Sequence, residues 1–272
     1  MRISALAAAL LCSVTALPAV AGDAWDSVRA QLFGDRPLLD GSDLIALDAP
    51  YRTADDARTQ IAAMVHAPKG QWLGKVTLVL DENPMPVSAV FALDAPQQGF
   101  FFDVTMRVNG PTGLHVIAET TDGRLWVTEG FVKTSGQGAC AAPPGSDPDA
   151  ALATLGDMVL EVGRLGAQPG TAGGLEAALT GRLSKLDVDI SHPSHSGMQM
   201  DQISLLYIPM RYVETVEIDL DGGGYVDVTG SISLSENPRI GLSVPRAARS
   251  VDVTMTDTRG TRTKQHKELA GF

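Results

Sequence analysis

One cysteine, Cys140, has the clearest chemistry of any side chain in the sequence. The chain contains two cysteines, and the other, Cys12, lies in an apolar N-terminal run that is typical of a cleaved export signal. Exported proteins work in oxidising surroundings, where thiols are usually paired or modified. A single unpaired thiol in such a protein indicates a handle that carries a covalently bound cargo.

The residues around Cys140 predict an exposed, flexible loop. Positions 136–145 read GQGACAAPPG, so this carrier loop, with Gly136 and Gly138, offers no apolar face to bury. No His, Lys or Arg lies within six residues of Cys140, so nothing local favours the reactive thiolate. This pattern suits a carrier that a partner enzyme loads better than a nucleophile that acts alone. We therefore expect a protein that is not itself an enzyme.

A second group of residues allows a different chemistry. His192, His195, Met198 and Met200 place two imidazoles and two thioethers within nine residues. Such ligands suit copper, so a periplasmic copper-binding protein is one alternative to the thiol carrier. The same tract could instead form a corner of the fold or a surface for partner docking, with its methionines packed against a core or a partner.

The N-terminus predicts where the protein works. Arg2 precedes an apolar run from Ile3 to Val20, and Ala19-Val20-Ala21 fits the small-x-small rule for signal cleavage. We expect a signal peptide over residues 1–21, a mature chain from Gly22 and a periplasmic location. No other segment of the sequence is long and apolar enough to span a membrane. The net charge of −11 argues against nucleic acid as a partner, because phosphates would be repelled.

A short helix is predicted at the start of the mature chain. Trp25, Val28 and Leu32 recur at helical spacing, and Gly34 followed by Arg36-Pro37 ends the pattern.

From Leu44 onward the sequence changes to short β-rich runs separated by turn signals such as Asn109-Gly110 and Asp122-Gly123. With no helical repeat between them, these runs predict an all-β fold of two immunoglobulin-like antiparallel β-sandwich domains in tandem. An Asn-Pro pair, at Asn83-Pro84 and again at Asn237-Pro238, leads from one strand into the next in each half. The predicted strands cover residues 72–80, 88–93, 100–108, 114–120 and 124–133 in the first half, and 157–165, 186–190, 203–208, 215–220, 225–234, 240–244, 251–256 and 261–267 in the second.

Both halves resemble a known family. The first half resembles SoxY, the sulfur-carrying subunit of the periplasmic thiosulfate-oxidising system, through residues 45–50 (IALDAP), residues 82–86 (ENPMP) and the segment with Cys140. The second half resembles its partner subunit SoxZ through residues 190–193 (ISHP) and 236–238 (ENP). The order of the halves looks like that of fused SoxYZ-like carriers associated with quinoprotein dehydrogenases, and residues 192–202 carry the most specific part of that match.

The resemblance implies a role for each part of the chain. Cys140 would hold a sulfur-containing intermediate as a covalent adduct, with no other cofactor, and Gly136 and Gly138 partly match the glycines that precede the family's carrier cysteine. Periplasmic redox enzymes, including a quinoprotein dehydrogenase, would be the partners, and the two domains would pair within one chain. An interaction module in which Cys140 is dispensable is a further alternative. The predicted organisation is a signal peptide at 1–21, a helix and lead-in at 22–39, a SoxY-like sandwich at 40–135, a flexible Cys-bearing linker at 136–152 and a SoxZ-like sandwich at 153–272.

Overall fold

The computed structural model describes residues 23–136, 139, 152–165, 182–201 and 204–269. The predicted signal peptide lies outside these residues. Within them the chain forms one helix, α1 (Asp23–Phe33), and fifteen strands. No helix in this part of the chain is long and apolar enough to cross a membrane. The strands are β1 (Leu38–Asp40), β2 (Ile45–Asp48), β3 (Thr59–His66), β4 (Leu73–Leu80), β5 (Val87–Gln97), β6 (Gly99–Met106), β7 (Thr112–Thr120), β8 (Leu125–Val132), β9 (Met158–Arg164), β10 (Leu183–Ile190), β11 (Val213–Leu220), β12 (Gly223–Thr229), β13 (Arg239–Pro245), β14 (Ser250–Asp257) and β15 (Arg262–Glu268).

The strands form two sheets, and each sheet continues from the first half of the chain into the second. The nine-stranded sheet has the order β1-β8-β7-β4-β5-β12-β11-β14-β15, and the six-stranded sheet has the order β2-β3-β6-β13-β10-β9. The crossing pairs are β5 with β12, over residues 90–93 and 226–229, and β6 with β13, over residues 102–104 and 240–242. The predicted all-β sandwich fold with a short N-terminal helix is confirmed. The structure adds that the two sandwiches join edge to edge through both sheets.

The main hydrophobic core of the described residues fills the space between the sheets and extends through both halves. Its aromatic centre lies next to the crossing strands. The ring of Phe91 stacks on that of Phe102 with 4.8 Å between the ring centroids, and its centroid lies 5.5 Å from that of Phe100. Apolar strand residues pack here because alternate side chains of each strand point inward. The joint between the halves is therefore part of the protein interior.

Helix α1 covers a second, smaller cluster on the nine-stranded sheet. Trp25 and Val28 pack against this cluster, as the helical spacing predicts, together with the buried Phe33. Leu32, the third residue at this spacing, is exposed, and Phe33 occupies the inward position at the end of the helix. Gly34 has a φ of +57° and ends the helix with an N–H bond to the carbonyl of Ala30.

Most predicted strands are present, with shifted ends, but two differences matter for function. The apolar run predicted as a strand over residues 203–208 is not one: its described part is a turn with an isolated bridge between Met200 and Tyr207. In addition, β3 was not predicted as a strand. It pairs with β6 in the middle of the six-stranded sheet, and it directly follows the loop of residues 49–58, part of which contributes to the candidate site.

Candidate functional site

The two central residues of the predicted carrier loop, Cys140 and Gly138, lie outside the described residues. The predicted role of Cys140 therefore stays a prediction. The structure does describe the chain up to Gly136, and also Ala139, which is buried although it adjoins Cys140. We call residues 133–136 the arm root, because this segment connects β8 to the stretch that contains Cys140.

The arm root is hydrogen-bonded to the segment of the chain that follows β2. The N–H of Thr53 donates to the carbonyl of Lys133 at 2.9 Å, and the N–H of Lys133 donates to the carbonyl of Tyr51 at 2.8 Å. The guanidinium of Arg52 adds a bond to the carbonyl of Thr134 at 3.3 Å. These bonds extend the sheet-like pairing of the chain past the end of β8.

A buried carboxylate, that of Asp56, holds the last two residues of the arm root. It accepts the N–H of Ser135 at 2.7 Å and the N–H of Gly136 at 3.1 Å, one on each oxygen, and it also accepts the hydroxyl of Thr53. Hydrogen bonds to a carboxylate are stronger than those to neutral acceptors. Gly136 has a φ of +94°, a conformation that a side chain would strain. The chain is thus fixed at Gly136, four residues before Cys140.

The two Asn-Pro pairs close corners of the fold in the same way, through asparagine side chains. The amide of Asn83 is buried, donates to the carbonyl of Arg107 and to the hydroxyl of Ser233, both at 2.8 Å, and accepts the N–H of Asn109 at 3.0 Å. Because Ser233 belongs to the second half, this corner also links the two halves.

At the second corner, the side chain of Asn237 accepts the N–H of His192 at 3.0 Å, and its own N–H donates to the carbonyl of His192 at 2.8 Å. Asn237 has a φ of +44°, which asparagine tolerates better than most residues. The predicted role of both pairs as strand corners is supported by these bonds.

Two guanidinium groups join the halves on the same side of the molecule. Arg107 is buried, and its side chain donates to the carbonyl of Leu234 at 2.6 Å and to that of Ile232 at 3.4 Å. Arg58 donates to the carbonyls of Glu236 and Asn237 at 2.8 and 2.9 Å. We call the contact between residues 83–109 and 231–237 the seam.

His192, a predicted ligand or docking residue, is buried and hydrogen-bonded at both ring nitrogens. Nδ1 accepts the backbone N–H of Ser194 at 2.9 Å, so Nε2 carries the proton and faces Asp257 Oδ2 at 3.5 Å. Burial lowers the pKa of His192 to about 4, against a smaller opposing effect of Asp257. The hydroxyl of Ser194 is also 3.2 Å from Nδ1, but the lone pair of that nitrogen already receives the N–H of Ser194. The imidazole therefore acts as part of the corner.

The other three residues of the tract have different surroundings. His195 is half-buried, its Nδ1 lies 3.0 Å from Gln199 Oε1, and burial lowers its pKa. Met198 and Met200 expose their side chains to solvent. Among the described residues, no group of three or more His, Cys, Asp or Glu side chains is arranged to hold a metal ion. That finding does not cover methionine ligands, so copper binding by the tract stays a prediction.

The sequence did not indicate Thr53 and Asp56 as site residues. Their only signal is the three-residue spacing of a threonine and an aspartate in a polar stretch, which is common in loops. The hydrogen bonds that give them importance reach residues about eighty positions away, and no local pattern encodes such contacts.

Comparisons with known proteins assign both halves. The family model described as "Sulfur oxidation protein SoxY" matches residues 29–140, and the model described as "Sulphur oxidation protein SoxZ" matches residues 174–268. Among solved structures, the chain is similar to the sulfur carrier protein SoxY from Chlorobium limicola f thiosulfatophilum, with 21% identity, 40% of this chain and 90% of that chain covered, and a TM-score of 0.33. A beta-glucuronidase from Parabacteroides merdae matches at 9% identity and a TM-score of 0.22. The match covers 84% of this chain and 24% of the glucuronidase chain. A search of curated proteins found no match.

Proposed function

Because the chain combines a SoxY domain with a SoxZ domain and so belongs to these families of sulfur-oxidation proteins, we propose that it carries a sulfur-containing intermediate covalently on Cys140. The observation that supports this most directly is the position of the family match. The SoxY match ends at Cys140, and the described chain is anchored just before it, at Gly136, by the carboxylate of Asp56. A thiol beyond a fixed point suits repeated delivery of a cargo.

The chemistry of loading explains why a redox partner is needed. Joining the Cys140 thiol to the sulfur of an oxyanion such as thiosulfate forms an S–S bond and releases one proton and two electrons. A partner enzyme must accept those electrons, and a quinoprotein dehydrogenase is the partner class that the fused domain order suggests. The carrier itself supplies the thiol and its presentation, so we assign catalysis to the partners.

The compartment belongs to the same proposal. The apolar run with Ala19-Val20-Ala21 supports export to the periplasm, where an unpaired thiol would meet other exported redox enzymes. Intact mass of the exported protein should show a chain that begins at Gly22.

The intact mass of protein purified from its native host tests the carrier role. We expect an adduct on Cys140 that a reductant removes and that is absent from the Cys140→Ser variant, with a mass that identifies the cargo. A mixed disulfide with glutathione is recognised by its own mass. A bare thiol that alkylates freely, in cells that are oxidising sulfur compounds, would overturn the carrier role.

A further inference from the structure

A surface hairpin in the second half exposes an unusual number of large apolar side chains. We call residues 195–201 and 204–211 the apolar hairpin; Gln202 and Ile203, between these two segments, lie outside the described residues and are not part of the surface. Soluble proteins seldom expose large contiguous apolar patches unless these bind a partner. Six of its side chains are between 40% and 69% exposed: Met198, Met200, Leu205, Leu206, Tyr207 and Met210.

The base of the apolar hairpin is firmly held. The N–H of Arg211 donates to the carbonyl of His195 at 2.9 Å, and Arg211 Nε donates to the buried carboxylate of Asp257 at 2.7 Å. Gly197 has a φ of +82°, and a Cβ there would lie 3.2 Å from the Cβ of Met210. The hairpin is thus a fixed projection from the fold.

Its tip holds a strained residue. Leu205 has a φ of +57°, which is rare for a bulky side chain, and its N–H donates to the carbonyl of Asp201 at 2.9 Å. The side chain of Asp201 accepts the N–H of Ser204 at 2.6 Å and closes the turn. Backbone strain of this kind is concentrated at functional sites. Here it accompanies two neighbouring leucines that face solvent.

The apolar hairpin is continuous with the seam and, through it, with the arm root. Met198 lines one small pocket together with Pro84, Asn109 and Ile232, which belong to the seam. The N–H of Val108, the residue before Asn109, donates to the carbonyl of Asp56 at 2.8 Å, and the side chain of Asp56 holds the arm root. A protein bound to the hairpin would therefore lie on the side of the molecule from which the segment with Cys140 departs.

We propose that the apolar hairpin is the docking surface for the redox enzyme that acts on Cys140, and that this enzyme offers an uncharged, apolar concavity beside its active-site entrance. This inference rests on the proposed carrier function. Asp201 is the only charged residue in the sequence from 196 to 210, whereas the whole chain has a net charge of −11. A second copy would bring its own −11 to the contact, which disfavours self-association. Tyrosine and methionine are enriched in protein interfaces, and methionine adapts to different partner surfaces.

The rate at which Cys140 is loaded tests the proposal. A Leu205→Ser/Leu206→Ser variant and a Val159→Ser control, which changes an exposed valine on β9, are each added to extract of the native host with thiosulfate as the probe. Intact mass follows the adduct on Cys140 over time. We expect at least tenfold slower loading in the double variant, an unchanged rate in the control, and equal alkylation of Cys140 by iodoacetamide in all three proteins.

Photocrosslinking identifies what binds. Tyr207 is replaced by p-benzoylphenylalanine in one protein, and a thiol-directed photocrosslinker is attached to Cys140 in another. Capture of the same redox enzyme from both positions supports the proposal. Capture of a second copy of the chain at position 207, capture of a different protein there, or equal loading rates in the double variant and the control would each overturn it. If no protein, including the unaltered one, acquires an adduct on Cys140, the proposed function fails and the docking proposal fails with it.

Discussion

At the scale of single residues, the side chain that connects the fold to the proposed chemistry is Asp56. Its two carboxylate oxygens accept the N–H groups of Ser135 and Gly136, and its burial keeps water from competing for these bonds. The last two residues of the arm root are therefore held by a side chain that lies far from them in the sequence. Any motion of the segment with Cys140 would begin beyond this point.

The strength of this anchor can be measured with Asp56→Asn. The amide NH₂ cannot accept an N–H bond, so one donor of the arm root loses its bond to a carboxylate, and we expect the free energy of unfolding to fall by about 2 kcal/mol. Urea denaturation measures the change. Asp55→Asn is a matched control, because Asp55 is exposed and its bond to the N–H of Ala57 can be kept by an amide oxygen; we expect a change within about 0.5 kcal/mol.

The same two variants test whether Asp56 restrains the segment with Cys140 or only stabilises the fold. A nitroxide label attached to Cys140 should become more mobile in Asp56→Asn than in Asp55→Asn, as read from the width of its electron paramagnetic resonance spectrum. Equal spectra in two folded proteins would show that Asp56 stabilises the fold without controlling the arm.

His192 predicts how stability depends on pH. Its pKa is lowered from 6.5 to about 4 in the folded protein, so between these values the unfolded chain binds a proton at this residue and the folded chain does not. Acidification from pH 6.5 to pH 4 should therefore remove about 3 kcal/mol of stability. Urea denaturation at both pH values measures this loss.

His192→Asn is the control for the pH effect. The amide oxygen of asparagine can accept the N–H of Ser194 but does not titrate, so the loss on acidification should be smaller in the variant by the contribution of the imidazole. The other titratable groups, including His195, are the same in both proteins, so their contribution cancels in the comparison. Equal losses in the two proteins would mean that His192 is not the titrating group.

At the scale of structural elements, the corners at Asn83 and Asn237 keep the strands in position. Each asparagine uses its side chain to hold a neighbouring loop, and each is followed by a proline that fixes the exit direction of the chain. The recurrence of Asn-Pro in both halves is thus explained by a shared structural requirement. The corner at Asn237 also presents His192 at the base of the apolar hairpin.

Substitutions at Asn237 separate hydrogen bonding from backbone conformation. Asn237→Gly removes the acceptor for the N–H of His192 but allows a φ of +44° freely, whereas Asn237→Ala removes the acceptor and strains the backbone. We expect the free energy of unfolding of Asn237→Ala to be lower than that of Asn237→Gly by about 1 kcal/mol, as measured by urea denaturation. Equal stability would show that the conformation at this position adapts to alanine.

The sequence predicts those elements that local patterns define. Asp122-Gly123 forms the expected turn, in which Gly123 has a φ of +85°, and the strands on either side are present. β3 was not predicted because its residues are buried almost continuously. The alternation of apolar and polar residues that identifies a half-buried strand is therefore absent. Residues 203–208 were wrongly predicted as a strand because their apolar run has the composition of one, but Leu205, Leu206 and Tyr207 are exposed to solvent.

The residues of the candidate site also differ in whether local sequence reveals them. Cys140 could be selected from the sequence because its surroundings are locally distinctive, whereas the importance of Asp56 depends on a contact with residues 79 and 80 positions later. The buried state of His192 and the exposed state of Met198 also depend on how the hairpin folds back on the second half. Local composition carries no information about such contacts.

At the scale of the whole molecule, the two families contribute to one continuous sandwich. The pairing of β5 with β12 and of β6 with β13 joins both sheets, so the halves share backbone hydrogen bonds as well as a core. Fusion in one chain raises the effective concentration of the halves for each other. The joint also brings the arm root of the SoxY half and the apolar hairpin of the SoxZ half to the same seam.

The strength of this joint leads to a prediction about a cleaved chain. A protease site inserted within residues 141–151, once cut, should leave the two halves eluting together in size-exclusion chromatography, because both sheets still continue across the joint. Arg107→Met in the cleaved protein should promote separation, since the carbonyls of Leu234 and Ile232 lose a buried donor, at a cost of about 3 kcal/mol. Arg124→Met is the control, because Arg124 lies on an exposed turn away from the joint and pairs with Asp122. Separation of the unaltered halves on cleavage would show that the covalent link, and not the shared sheets, holds the two halves together.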